Sequence, residues 1–257
     1  MVSRSKKIAL LVPLVSLCVL AGLYFLFPSV AFDFLIAVER NIAGLEKNSV
    51  EVDGLHFEYL EGGTGEALVL LHGFGADKDN WTRIGRYLTP YFRVIAPDLP
   101  GFGDSTADLE ADYTVSPQVE RIRAFVRVLN LKAFHLGGSS MGGNIAGAYA
   151  AKYPGEVKMH LAQQAVERQP LNSMIFQQLV DSRNLSPLEI LLSGLKVPAL
   201  IVWGTGDRVL HPSGAAVLKG VMPEARAVLM SATGHLPMVE RPKKTAELFL
   251  GFVSNHN

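Results

Sequence analysis

The chain opens with an unbroken apolar stretch. Residues 8–27 carry no charge, and Arg4, Lys6 and Lys7 precede them. Beyond residue 45 the pattern divides into short alternating blocks. The runs at 67–71 and 199–203 are continuously apolar, as in strands buried on both faces. The segments 93–97, 133–137 and 226–230 read as further strands. Residues 49–53 and 56–61 form a predicted hairpin turning at Asp53-Gly54, a pairing that suits a tight two-residue turn. Between the strands the period changes. Val119, Ile122, Phe125 and Val126 line one face of a helix over 116–129. Other helices are predicted around 81–88, over 143–153 and over 242–253. In the helix over 143–153, Ala146, Gly147, Ala148, Ala150 and Ala151 permit close approach to a sheet. Strands alternating with helices imply a mostly parallel central sheet covered on both faces. No internal repeat or low-complexity run interrupts the pattern.

One interval departs from this order. After residue 153, Val157, Met159 and Leu161 give only a weak alternation around Lys158. The segments 163–168, 172–180 and 187–195 read instead as helices.

The strand ends carry the chemistry. Gly138-Ser139-Ser140-Met141-Gly142 is a G-x-S-x-G sequence between a strand and a helix. That turn lifts the central serine hydroxyl above a sheet, with Gly138 and Gly142 leaving room for neighbouring segments. A serine hydroxyl is a poor nucleophile until a histidine takes its proton. The histidine in turn needs a carboxylate to hold its tautomer. Asp207 follows the strand at 199–203, and His235 follows the strand at 226–230. The order Ser140, Asp207, His235 is the one this architecture uses. His72-Gly73-Phe74-Gly75 follows the strand at 67–71. In acyl transfer two backbone N–H groups stabilise the developing oxyanion, and Met141 and Phe74 are the candidates. Each motif also has an ordinary structural reading. HGFG is a Gly-rich turn, Asp207 a helix cap, and His235 one of seven histidines. Their joint occurrence in order favours the catalytic reading. Ser139 and His135 read as packing residues, Asp104 as a local backbone partner in a turn, and His211 as too early in the chain to be the base.

With HGFG, DLPGFGDS, GSSMG, WGTGDRVL and SATGHLPMVERP in place, the chain resembles the α/β-hydrolase superfamily. Within it, HGFGADKDNW, GSSMGGNIAGAYAAKYP and GHLPMVERPKKTA are similar to the membrane-anchored monoacylglycerol lipase group and bacterial lipases of that type. The resemblance covers most of residues 45–257. It implies the α/β-hydrolase fold, a serine hydrolase acting on acylglycerols or other carboxylic esters, the triad Ser140, Asp207 and His235, and an oxyanion hole at Phe74 and Met141. It also implies a further central strand after residue 153 and a cap over the site. Against that pattern the interval 154–196 is too short and is expected to lack a piece near the Lys158–Met159 junction. The expected result is an unpaired gap, or the strand at 199 sliding beside the strand at 133–137, either of which would move Asp207 by about 4.8 Å. A serine at the elbow, where dehalogenases and epoxide hydrolases place aspartate, favours an acyl-enzyme intermediate. A catalytically weak or silent variant is the alternative that the short middle suggests. A perhydrolase or C–C bond hydrolase would use the same residues.

Composition narrows the remaining choices. A chain of 257 residues with 24 basic and 24 acidic side chains shows no basic stripe for nucleic acid. The single cysteine, Cys18, excludes an internal disulfide. No Cys/His cluster has metal-ligand spacing and no Gly-rich loop matches a phosphate cradle, so no metal and no cofactor are expected. The expected partners are a lipid or small ester substrate and a membrane; oligomeric state leaves no trace. An apolar helix of about twenty residues spans a bilayer, and the basic flank places the N-terminus in the cytoplasm. The domain plan is thus an anchor at 1–30, a juxtamembrane helix or linker at 31–45, and a hydrolase domain at 46–257. The catalytic part then lies across the membrane, in the periplasm if the source is bacterial. Cleavage of a secretory signal after 29–31 is the competing reading.

Overall fold

The computed structural model describes residues 22, 26–108, 110–164, 192–193 and 195–256, with only the backbone of 160–164 included. The chain divides into two compact units, Met1–Ile42 and Ala43–Asn257. In the first, helix α1 spans Pro28–Ala43, crossing into the second unit at its last residue, and exposes Phe32, Phe34, Leu35 and Ile42. Among the described residues no helix is long and apolar enough to cross a membrane. The segment proposed as an anchor, 8–27, lies outside the described residues except at 22, 26 and 27.

The second unit is built on one sheet, in the order β1-β2-β4-β3-β5-β6-β7-β8 among the described residues. The strands are β1 (Glu46–Val52), β2 (Leu55–Gly62), β3 (Glu66–Leu71), β4 (Phe92–Pro97), β5 (Phe134–Ser140), β6 (Val157–Gln164), β7 (Ala199–Gly204) and β8 (Arg226–Met230). The first two pair antiparallel, as do β2 and β4. All other neighbours are parallel. The hairpin turns at Asp53 and Gly54, both at positive φ (50° and 81°), the combination a type I′ turn requires.

Helices cover both faces: α2 (Thr82–Leu88), α3 (Val115–Val128), α4 (Met141–Lys152), α5 (Gly214–Val221), the short α6 (Pro237–Glu240) and α7 (Pro242–Ser254). One face packs Val69, Leu71, Ile95, Phe134 and Leu136 against Ile122 and Phe125 of α3 and Ile145 and Tyr149 of α4. The other packs Leu68, Leu70, Val94, Leu200 and Val202 against Ile84 and Leu88 of α2 and Phe249 and Phe252 of α7. Alternate residues of the same strands therefore serve opposite cores, which explains why these strands read as continuous apolar runs.

The expected break after residue 153 is corrected here. β6 fills the place between β5 and β7, so there is no gap and β7 does not slide. The Lys158–Met159 junction is a bulge rather than a break. Phe134 pairs with Val157, but the next residue, His135, pairs with Met159, so Lys158 is extra. One extra residue reverses the facing of those beyond it. Val157 accordingly packs in the first core and Met159 in the second. The simple alternation looked weak because the bulge interrupts it. The strand also runs to Gln164, where a helix from 163 was expected. The rest of that helix and the one at 172–180 lie outside the described residues, as does most of the one at 187–195.

Candidate active site

Parallel strands bring their C-terminal ends to one edge of the sheet. Four of the chemical motifs follow such ends: HGFG after β3, Ser140 at the end of β5, Asp207 after β7 and His235 after β8.

Ser140 has φ 60° and ψ −127°, a conformation that a non-glycine residue adopts only under constraint from its surroundings. The constraint is visible at the glycines. A Cβ on Gly138 would sit 2.2 Å from the carbonyl oxygen of Gly142, and one on Gly142 would sit 2.2 Å from that of Leu71. The strand, the turn and the end of β3 are thus packed backbone to backbone. A Cβ on Gly73 would lie 2.8 Å from Ser140 Cβ and 3.2 Å from its Oγ, so the HGFG loop passes directly over the serine. Ser140 is buried, with 8% of its surface exposed.

Asp207 and His235 meet. His235 Nδ1 lies 2.9 Å from Asp207 Oδ2. The other carboxylate oxygen, Oδ1, accepts the Val209 and Leu210 N–H groups at 2.9 and 2.8 Å. Three hydrogen bonds leave this buried carboxylate a single orientation, with one oxygen dedicated to the imidazole. The loops are also joined through backbone, since Gly206 N–H donates to Thr233 O at 2.9 Å. His211 turns elsewhere, its Nδ1 2.8 Å from Ser213 Oγ.

The HGFG loop is set by His72, which is fully buried. Its Nε2 accepts the Leu99 N–H at 2.9 Å, so Nδ1 carries the proton and donates to Gly73 O at 2.7 Å. Burial pushes its pKa down to about 4, and the ring is neutral at ordinary pH. Because the Gly73–Phe74 peptide is trans, fixing the Gly73 carbonyl toward His72 turns the Phe74 N–H the opposite way. The Phe74 ring packs edge-on against Phe102, centroids 5.6 Å apart. Met141 begins α4, and an N–H in the first helical turn has no acceptor within the helix.

Sequence reasoning missed a buried ion cluster beside this loop. Lys78 is 2% exposed, and its Nζ donates to Asp98 Oδ2 at 2.6 Å and Asp104 Oδ2 at 2.8 Å. Asp98 also accepts the Lys78 and Asp104 N–H groups. Burial works against the Lys78 ammonium, but the hydrogen bonds to Asp104 and Asp98 outweigh it and raise its pKa. The bond from Lys78 is the main reason that the Asp104 carboxyl is held below its usual range. Asp104 was expected to bond local backbone; its carboxylate instead spans to Lys78 and Lys47. The signal available was the lysine within HGFGADKDNW, where a charged residue sits between two loop motifs. Ser139 and His135 are buried as expected, His135 with Nε2 2.7 Å from Glu66. Among the described residues no group of His, Cys, Asp or Glu could hold a metal ion.

Comparison with known proteins gives the family. A model of the alpha/beta hydrolase fold matches residues 66–174. Lipase 1 of Psychrobacter immobilis is 32% identical, covering 86% of this chain and 88% of the relative. Monoacylglycerol lipase ABHD6 of Homo sapiens is 30% identical, covering 91% and 90%. A crystal structure described as a membrane phospholipase A superposes with a TM-score of 0.80 at 34% identity, covering 97% of this chain and 99% of that one. The alignment with Lipase 1 runs over 280 positions, more than the 257 residues of this chain, so that relative carries residues without a counterpart here. The chain belongs to the α/β-hydrolase superfamily, in its lipase-like group, and is a carboxylic ester hydrolase.

Proposed function

We propose that the chain is a serine esterase of lipid substrates, monoacylglycerols or related esters, held at a membrane by residues 8–27. The observation that carries the mechanism is the Asp207–His235 hydrogen bond on the same sheet edge as the constrained Ser140. His235 takes the Ser140 proton as Oγ attacks the ester carbonyl. Asp207 holds the imidazole with its proton on Nδ1 and stabilises the imidazolium that forms. The carbonyl oxygen becomes an oxyanion facing the Phe74 and Met141 N–H groups. Collapse breaks the bond to the alcohol, which leaves with the proton from His235. Water then repeats the sequence on the acyl-enzyme and releases the acid.

The lipid reading is supported by the names of the relatives and by the exposed Phe32, Phe34 and Leu35 of α1, which follow the uncharged run. On this reading the catalytic domain lies across the membrane from the basic N-terminus. The surplus length of the Lipase 1 alignment supports a second reading, in which a reduced cap leaves a site of low activity on long acyl chains.

Fluorophosphonate labelling of the detergent-solubilised full chain, together with p-nitrophenyl ester hydrolysis, tests the mechanism. Labelling near one per chain, lost in Ser140→Ala and His235→Ala, is the expected result. Labelling that survives Ser140→Ala would overturn it. Turnover that is high on short esters and absent on monoacylglycerol would favour the second reading.

A further inference from the structure

His235 sits in a loop that the mechanism uses but does not itself stabilise. The loop contains Ala232 at φ 50°, a left-handed conformation that costs a residue with a Cβ and persists only where neighbours enforce it. On one side the enforcement is clear. Gly206 N–H holds Thr233 O, and a Cβ on Gly204 would sit 2.2 Å from the carbonyl oxygens of both Thr233 and Gly234.

On the other side stands Glu240, the last residue of α6. Its Oε2 accepts the Gly234 N–H at 2.7 Å, and its Oε1 accepts the Leu236 N–H at 3.2 Å. These N–H groups belong to the residues immediately before and after His235. One carboxylate thus ties down the backbone on both sides of the imidazole, at the Thr233–Gly234 and His235–Leu236 peptides. A capping box has a related form, in which a glutamate reaches back to the start of its own helix. Here the reach is longer and encloses the histidine.

Gly234 supplies a second observation. Its φ is not positive, so backbone conformation does not demand glycine there. What a side chain would meet is Glu240: a Cβ on Gly234 would lie 2.8 Å from Oε1 and 3.2 Å from Oε2. The glycine leaves room for the carboxylate. We infer that Glu240 is a positioning residue for His235, clasping the N–H groups of the residues on either side of it so that its imidazole stays aligned between Asp207 and Ser140. The inference rests on the serine-esterase reading for its effect on rate, but not for its effect on the histidine.

Four variants of the full chain test it: Glu240→Ala, Gly234→Ala, their combination and Glu240→Gln. Glu240→Ala removes the clasp. Gly234→Ala pushes the carboxylate away while leaving its charge in the protein; the atoms displaced are the end of a flexible side chain, so the fold is spared. The direct readout is the low-field proton resonance of His235 Nδ1 in its bond to Asp207, which needs no substrate. Each single variant is expected to weaken or broaden it. Displacement of a catalytic group by a fraction of an ångström should lower kcat roughly tenfold, with KM changed by no more than about twofold. The double variant should be no worse than Glu240→Ala, because the methyl group then has nothing to displace. Glu240→Gln, with one acceptor oxygen, should recover part of the loss. An unchanged resonance with unchanged kcat in Glu240→Ala overturns the inference, as do additive losses in the double variant. If the wild-type chain shows no esterase turnover, the serine-esterase reading fails, and the resonance comparison still decides the role of Glu240.

Discussion

At the residue scale, the site depends on atoms that are absent as much as on those present. Gly73, Gly138 and Gly142 are places where backbone or the serine itself occupies the volume of a Cβ. Lys78 is the opposite case, a long charged side chain buried because Asp98 and Asp104 surround its ammonium. Removing one member of such a cluster strands the remaining charge. Lys78→Met is therefore expected to destabilise the fold by about 3–5 kcal/mol, read as a lowered denaturant midpoint. Asp98→Asn in the Lys78→Met background should restore part of the loss. The glycine motifs are visible in sequence because only glycine suits those positions. The partners of Lys78 are not, since 20 and 26 residues separate it from Asp98 and Asp104.

At the element scale, β6 shows how one residue can hide a strand. With Lys158 bulged, Val157 and Met159 face opposite cores although they are two apart. The bulge also delivers the Lys158 ammonium to Glu66, which bonds His135 as well. Those two hydrogen bonds, Lys158 first, hold the Glu66 carboxyl below its ordinary range. Deleting Lys158 removes the bulge and leaves either Val157 or Met159 on the wrong face. The deletion is expected to abolish cooperative unfolding or soluble expression, whereas Lys158→Ala, which keeps the register, should cost little. A deletion variant with the stability of the parent would show that the register is not fixed at this point. The hairpin was legible because its turn chemistry is local, the bulged strand illegible because its facing depends on β5.

At the scale of the whole molecule, acid should loosen the fold before it reaches the carboxylates. His72 titrates near 4 when folded and near 6.5 when unfolded, and burial also lowers the pKa of His135 against the pull of Glu66. Between these values the unfolded chain binds more protons than the native one, so stability rises with pH and falls as the solution is acidified. The shift at His72 corresponds to about 3 kcal/mol, fully present above pH 6.5 and lost by about pH 4. Urea midpoints measured from pH 7 to pH 4.5 should fall steadily, and His72→Asn should flatten the dependence. Equal slopes in both proteins would assign the loss to other groups. Glu66 and Asp104, whose carboxyls are held low by Lys158 and Lys78, add their loss at still lower pH.

The sequence alone determined the alternation of strands and helices, the two-residue hairpin and the strand-end motifs around Ser140, Asp207 and His235. Each of these is a local pattern: a hydrophobic period, a turn dipeptide, a glycine where no side chain fits. Tertiary structure alone decided what depends on distant neighbours. It placed β6 between β5 and β7, turned Asp104 toward Lys78 rather than its own turn, and set Glu240 against the amides beside His235. In each case the deciding partner lies on another element or across a turn, where an extra residue, a buried charge or a carboxylate acquires its role only once the chain has folded.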